Sequence, residues 1–446
     1  MPVLVSVIVP SLNVRDYIRE CIDSIIGQSL PDIEIICVDA GSSDGTYEIL
    51  QEYAEKDGRV KPIKSSKRSY GYQVNLGIET AKGEYIGIVE SDDYIDRDMM
   101  KYLYLRAKEF DVDVSKGDNF RVCGASPRKY NCVEQHVFSG SQLRFYNKRI
   151  ENDELLFRHI VDQNLWSGIY RRAFLIERKI KLNETPGAAF QDMGFQQQVQ
   201  TLAGSVVYGD KAVYFYRTDR EDSSTNQPKW MQNVVQEFKF LEDSYLWQEK
   251  EGELHRPYVI ARLAVSFMTE LRRMIVNKRF SLEADKWLND YGWLQIKFQE
   301  LVNNGDLDYW QLPRWMWEHL MLALKSLQSY TDFIWMTDEV RRGDCDKLAS
   351  LFDAEAYVIF SCGAWGKNLF DFLRGQGKNV LVFTDNNNEL WGTKCCGIDV
   401  VSPQEAVMKY SGYKFVVANQ YYGEKLKHQL RDLGIDENMV IVYHPI

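Results

Sequence analysis

Three acidic side chains crowd into four residues at Glu90-Ser91-Asp92-Asp93, directly after the apolar run 85–89. Carboxylates this close repel one another unless a cation sits among them. Hard divalent ions such as Mg²⁺ or Mn²⁺ favour oxygen ligands and keep places for phosphate oxygens. A metal held here would bridge a diphosphate and neutralise it as it leaves. The competing reading is local: Asp92 or Asp93 caps a helix starting near Asp96. The cluster alone leaves both open. A second candidate is Asp39, which ends another apolar run and begins Asp39-Ala40-Gly41-Ser42-Ser43-Asp44-Gly45. A carboxylate there can accept a hydrogen bond from a ring N–H of a base, and Gly41 and Gly45 let the backbone approach a ligand. For Asp44 the preferred role is capping the helix that follows.

These residues need a scaffold that brings strand ends together. Residues 5–9 are apolar and largely β-branched, which suits a buried parallel strand. Residues 16–26 follow at helical spacing, 33–38 read as a second strand and 46–54 as a second helix. A weaker strand spans 60–63, a helix 74–81, and another strand 85–89. Strands alternating with helices predict an open, doubly wound α/β sheet, whose ligands bind at the carboxyl ends of the strands. Those ends carry Pro10 to Asn13, the Asp39 loop and the Glu90 cluster.

Composition narrows the classes. The chain has 446 residues, 45% hydrophobic and 26% charged, with net charge −10. A disordered or fibrous chain is excluded, and an acidic chain lacks the footprint of a general nucleic-acid binder. No run of about 18 uncharged apolar residues predicts a membrane span. The N-terminus lacks the basic leader of a signal peptide. Eight cysteines without CxxC spacing argue against a disulfide scaffold or zinc and for a reducing cytoplasm.

The runs VSVIVPSLN, YIRECIDSIIGQSLPDIEIICVDAGSSDGT and NLGIETAKGEYIGIVESDD together resemble family 2 glycosyltransferases. The likeness is dense over about the first 110 residues. It continues more thinly through Leu165 to Arg172, Ala189 to Phe195 and Tyr214-Phe-Tyr-Arg217. It implies a GT-A fold and an inverting, metal-dependent transfer from a nucleotide-sugar donor to a glycan or lipid-linked acceptor in surface polysaccharide synthesis. Residue by residue, it points to Pro10, Asn13, Asp39, Asn75, Glu90, Ser91 and Arg217 for the nucleotide sugar. It points to Asp92 and Asp93 for Mn²⁺ or Mg²⁺, and to Asp192 as catalytic base. Lys67 or Arg68 could add a cation, and Ser223 or Ser224 could lie near the diphosphate. UDP is favoured over GDP or dTDP because Asp39 suits the uracil N–H, although thymine offers the same group.

The chain departs from the family pattern in four places. Ala40 follows Asp39 where a second Asp is usual, and Glu90 stands for the first Asp of the metal motif. Gln191 precedes Asp192 in place of Glu, and Gln73-Val-Asn75 lacks an Arg. Asp92 therefore ranks above Glu90 as metal ligand. A non-catalytic sugar-nucleotide-binding or scaffold protein of the same fold is the alternative; a nucleotidyltransferase is disfavoured for want of a basic, glycine-rich first loop.

Two further zones follow the expected domain at 1–227. Residues 228–350 have helical periodicity and hold most of the tryptophans, and basic and aromatic residues interleave there. A helical core, a surface for peripheral membrane contact, a sugar-stacking face and homo-oligomerisation are the readings for this zone. Residues 351–446 restart an α/β pattern, a small Rossmann-like unit. Gly363-Ala-Trp-Gly366 is a shortened glycine loop, and Asp385 stands where a ribose-binding acid would sit. A ligand site and a docking role both remain open for it.

Overall fold

The computed structural model describes residues 2–122, 132–151, 154, 159, 162, 164–218, 231–244, 252–276, 284–334, 354–375, 377–419 and 422–443. The chain divides into two compact units. One comprises Met1–Asn119, Gln135–Tyr216 and Asp222–Trp335, the other Phe120–Glu134, Arg217–Glu221 and Met336–Ile446. The helical zone thus lies within the first unit as far as Trp335. Among the described residues, no helix is long and apolar enough to cross a membrane.

The strands of the first sheet are β1 (Val5–Ser11), β2 (Ile33–Asp39), β3 (Val60–Lys64), β4 (Tyr85–Ile88), β5 (Tyr94–Ile95), β6 (Val114–Val122), β7 (Cys132–Gln135), β8 (Arg149–Glu151), β9 (Gly168–Arg171) and β10 (Ser205–Arg217). Their order is β3-β2-β1-β4-β9-β6-β10-β5, with β8 on β10 and β7 on β6. Strands β1 to β4 pair in parallel. Every residue of β1 and β2 is buried, as expected of strands covered on both faces. Beyond β4 the sheet turns antiparallel, at β4–β9, β9–β6 and β10–β5. That half goes beyond the strands expected from the sequence.

The helices of this unit are α1 (Arg15–Ile26), α2 (Thr46–Lys56), α3 (Tyr70–Thr80), α4 (Met99–Glu109), α5 (Arg172–Glu177), α6 (Gln191–Leu202), α7 (Met231–Asp243), α8 (Arg256–Val276), α9 (Ala284–Asn303) and α10 (Arg314–Lys325). Helix α1 buries Ile18, Cys21, Ile22 and Ile25, one stripe at helical spacing. Helix α3 starts four residues earlier than its apolar pattern suggests, because the Ser69 hydroxyl caps it by accepting from Tyr72 N at 3.2 Å. A Cβ on Gly71 would lie 1.9 Å from the Asn183 carbonyl oxygen, so glycine lets α3 meet that segment. The capping role considered for Asp92 and Asp93 is overturned. The short strand β5 intervenes, pairing with Tyr214 and Phe215, and α4 begins only at Met99.

Helices α7 to α10 share one apolar core that includes Val234, Phe238, Leu263, Phe267, Leu294 and Trp287. Phe190 and Met193, either side of the start of α6, enter this core. Trp293 and Trp317 pack against it, whereas Trp310 and Trp315 are exposed. Trp230, Trp247 and Trp335 lie outside the described residues.

The second unit carries β11 (Ala356–Phe360), β12 (Asn379–Thr384), β13 (Lys394–Cys395), β14 (Ile398–Val401), β15 (Lys414–Ala418) and β16 (Val440–Tyr443), ordered β13-β14-β12-β11-β15-β16. All but β13 are parallel to their neighbours, in keeping with a Rossmann-like unit. A Cβ on Gly366 would stand 1.8 Å from the Ser361 carbonyl oxygen, which explains that glycine. The Asp385 carboxylate accepts from Cys362 N at 2.8 Å and Asn387 N at 2.9 Å, bracing the loops at the strand ends.

Candidate active site

The parallel register sets Ser11 beside Asp39, so the first two loops leave the sheet together. Asp39 is 1% exposed, and its own surroundings fill its carboxylate. It accepts from Gly41 N and Ser42 N at 2.9 Å each and from Ser42 Oγ at 2.5 Å, with Ser11 Oγ at 3.4 Å. Asn13, at φ +52, stitches the same loops: its N–H donates to Ser42 Oγ, and its Oδ1 accepts from Ser43 N, both at 2.9 Å. Asp44 accepts from Thr46 N at 3.0 Å, the local role preferred for it. Pro10 is buried within β1. Gln73, one residue before the position of the family's Arg, which is Val74 here, donates to the carbonyls of Ser11 at 2.9 Å and Val38 at 2.6 Å. The Arg68 guanidinium does reach the second loop, at 3.2 Å from Gly41 O.

The acidic loop is held by two tyrosines. Tyr214, on β10, accepts from Glu90 N at 3.0 Å and donates to Asp93 Oδ2 at 2.8 Å. Trp166 stacks on its ring at 4.2 Å. Tyr70, at the start of α3, donates to Glu90 Oε1 at 2.5 Å. Asp93 is 2% exposed, Ser91 is also buried, and Glu90 and Asp92 are half-buried. Burial pushes the Glu90 carboxyl up to about 8. Repulsion from Asp92 and Asp192 adds to this, while the Tyr70 hydrogen bond opposes it.

Asp192 lies about 100 residues downstream in sequence yet comes within electrostatic reach of Glu90. It occupies the first turn of α6, exposed, with Oδ1 accepting from Met193 N at 2.9 Å. A helix N-terminus favours a carboxylate there. The chain enters α6 through Phe190 at φ +65. Gln191 is buried and braces the entry loop: it accepts from Ala189 N at 2.5 Å and donates to Thr185 Oγ1 at 2.8 Å and Gly187 O at 3.2 Å. Asn75 clamps the start of that segment. Its amide exchanges bonds with Leu182 N and O, both at 2.9 Å, and donates to Glu184 Oε1 at 3.3 Å.

Three residues beside Asp192 escaped sequence reasoning: Tyr70, Glu237 and Arg262. Glu237 on α7 is buried, accepts from Asn183 Nδ2 at 3.1 Å, and approaches α6 where Gly194 has no side chain. Burial pushes its carboxyl up to about 8, and Asp192 adds repulsion. Burial lowers the Arg262 guanidinium, on α8, and Asp192 offsets this in part. The Tyr-Phe-Tyr-Arg resemblance did flag the segment of Tyr214, though only Arg217 was singled out. Arg217 is buried and groups with the second unit. Ser223 and Ser224 lie outside the described residues.

The donor set fits a hard divalent ion only in part. Among the described residues, no group of three or more His, Cys, Asp or Glu is arranged to hold a metal. Asp93 is engaged by Tyr214, and Glu90 and Asp92 keep some exposure. The crowding of Glu90, Asp92 and Asp192 is what a cation would relieve. Such an ion would take Asp92, with diphosphate oxygens and water completing its shell.

Residues 6–177 match the family described as Glycosyl transferase family 2. Glycosyltransferase GlyG of Streptococcus pneumoniae serotype 4 is 30% identical over 247 residues, covering 53% of this chain and 79% of the relative. Glycosyltransferase GlyA of the same organism is 27% identical over 241 residues, covering 52% of this chain. The match spans only 33% of GlyA's own length. The crystal structure of residues 1–349 of S. aureus TarS in complex with UDP-GlcNAc aligns with TM-score 0.51 and 19% identity, covering 76% of this chain and 92% of that one. At that identity the likeness establishes a shared fold.

Proposed function

The chain belongs to glycosyltransferase family 2, and from that premise we propose an inverting transferase using a nucleotide-diphosphate sugar, preferably a UDP-sugar. The acceptor is a hydroxyl of a glycan or lipid-linked saccharide in surface polysaccharide synthesis. In this reading the chain works in the cytoplasm, in peripheral contact with the membrane. What supports it is the tie made by Tyr70, whose hydroxyl holds Glu90 beyond the parallel strand β4 and whose N–H holds Gly187, ahead of Asp192. A base on one side of a reacting sugar and a diphosphate-binding acid on the other is the arrangement that inversion needs. That UDP-GlcNAc is the ligand of the TarS structure supports the choice of donor class.

Asp192 takes the proton of the acceptor hydroxyl as its oxygen bonds to the anomeric carbon and the bond to the diphosphate breaks on the opposite face. Such base catalysis typically contributes about 10²–10⁴-fold. A divalent ion at Asp92, when bound, would supply charge neutralisation at the diphosphate. Tyr214 and Tyr70 hold the acidic loop that receives it. The loops around Asn13 and Asp39 form the base-binding edge, with Arg68 beside them. Asp39 is already bonded within its loop, so donor entry rearranges Ser42 or adds to a satisfied carboxylate.

Incubating the chain with UDP-, GDP- and dTDP-sugars, with Mn²⁺, Mg²⁺ or chelator, tests the reading. Metal-dependent release of nucleotide from at least one donor is expected. Absence of binding to every donor would overturn it.

A further inference from the structure

On the helical side of Asp192 stands a cation that the reaction above does not use. Arg262 is partly buried on α8, and its Nε is enclosed without a hydrogen-bond partner. Among the described residues its guanidinium makes no hydrogen bond or close ion pair. A guanidinium offers five donors in a planar fork that matches phosphate or carboxylate, and enclosing even one of them unbonded is costly. Glu237, a buried acid of the helical zone, is bonded to Asn183. Arg262 therefore keeps its donors for something that arrives.

Its position indicates what arrives. The acidic neighbours acting on Glu90 are Asp92 and Asp192, whereas the one acting on Arg262 is Asp192. Phe190 and Met193, which flank Asp192, pack in the core that Val259, Ile260 and Leu263 of α8 help to build, whereas Tyr70 ties Glu90 to the segment ahead of Asp192, so α8 approaches Asp192 from the helical zone. Tyr258 precedes it by four residues, so the two side chains share one face of α8. Trp310 meets Tyr258 edge to face, with ring centroids 6.0 Å apart, and is 56% exposed. Tyr258 is backed by the buried ring of His159, stacked at 6.2 Å, which leaves Trp310 as the open ring. A cation followed by an open aromatic ring suits a saccharide that carries negative charge: the fork binds the anion and the ring covers an apolar sugar face.

We propose that Arg262, with Tyr258 and Trp310 beyond it, forms an acceptor subsite for an anionic group, a phosphate or carboxylate borne by the acceptor glycan. The proposal rests on Asp192 being the base named above. It makes the acceptor an acidic polymer or a phosphorylated saccharide, and it gives the helical zone a part in choosing it.

The test compares three soluble acceptors on the full chain: an octyl glycoside, its 6-phosphate and the matching uronate. Arg262→Gln is expected to raise KM for the charged acceptors by about ten- to a hundredfold, the cost of losing hydrogen bonds to a charged group. Reactivity toward the neutral acceptor, donor Kd and donor hydrolysis should be unchanged, and Arg262→Lys should restore part of the loss. An effect confined to the phosphate or to the uronate identifies the source of the charge. Equal losses for neutral and charged acceptors, weaker donor binding, or no loss at all would overturn the subsite. Calorimetry with the phosphorylated acceptor separates this proposal from the transfer reading. If the wild type binds it and Arg262→Gln does not, yet no donor turns over, the anion site stands and the transfer reading falls. If the wild type prefers neither charged acceptor, the subsite falls.

Discussion

The phenol of Tyr70 donates to Glu90 Oε1 at 2.5 Å, while the backbone N–H of the same residue donates to Gly187 O at 2.9 Å. Arg68 O accepts from Gly187 N at 2.9 Å, completing a short parallel bridge. One residue at the head of α3 thus ties the acidic loop to the segment that delivers Asp192. The longer arm of Glu90 makes this link: its carboxyl reaches a tyrosine and so is positioned from two sides. Glu90 and the segment leading to Asp192 are thus spaced by a common support.

Tyr70→Phe removes the hydroxyl and leaves the ring. Glu90 then loses a hydrogen bond that favours its charged form, so its carboxyl should hold its proton to still higher pH. We expect kcat/KM for the donor to fall by about tenfold, the worth of one such hydrogen bond, with the fold intact. Steady-state kinetics and circular dichroism check both parts. Unchanged kinetics would mean that the link is structural only.

Asp192→Asn keeps shape and removes the base. Transfer should fall by about 10²–10⁴-fold while the donor Kd stays at the wild-type value. The same change relieves repulsion on Glu90 and Glu237. Above about pH 8, where those two carboxyls ionise, the melting temperature should hold or rise, whereas at neutral pH loss of the helix-terminal carboxylate should lower it slightly. Turnover near the wild-type rate would remove Asp192 from the mechanism.

The parallel strands and their loops were legible because runs such as Val5–Ser11 and Ile33–Asp39 are buried on both faces and need no alternation. What escaped depends on partners far along the chain. Gly71 in the first turn of α3 resembles a helix breaker until Asn183 is seen against it. Asp92 and Asp93 resembled caps because the pairing of β5 with Tyr214 and Phe215 spans about 120 residues. Arg262 sat in an amphipathic helix whose sequence signals packing, and only the fold brings it to Asp192.

Asn75 allows a structural role to be told from a ligand role. Resemblance points it at the nucleotide, whereas its amide exchanges bonds with the backbone of Leu182. Asn75→Ala leaves a buried N–H and C=O unpaired, at about 1–3 kcal/mol each. We expect a marked fall in melting temperature and a loss of kcat through a misplaced Asp192, with donor Kd little changed. A large rise in donor Kd at unchanged melting temperature would assign Asn75 to the nucleotide instead.

Glu237 should leave its mark on stability against pH. Burial raises its carboxyl in the folded chain from 4.5 to about 8. Between those values the folded protein keeps a proton that the unfolded chain has released, so stability falls as pH rises through this window. Below it both states are protonated and the contribution is whole; above it a charged carboxylate sits in the core and the contribution is gone. One group of this kind gives a slope of at most about 1.4 kcal/mol per pH unit. Glu237→Gln cannot titrate, so its melting temperature should decline less between about pH 5 and pH 8.5 than that of the wild type. At the alkaline end the variant should be the more stable by at least about 2–4 °C, the shift expected for 1 kcal/mol. Melting scans of the two proteins across that range measure the difference directly, and parallel curves would mean that Glu237 stays ionised beside Gly194 and Asn183.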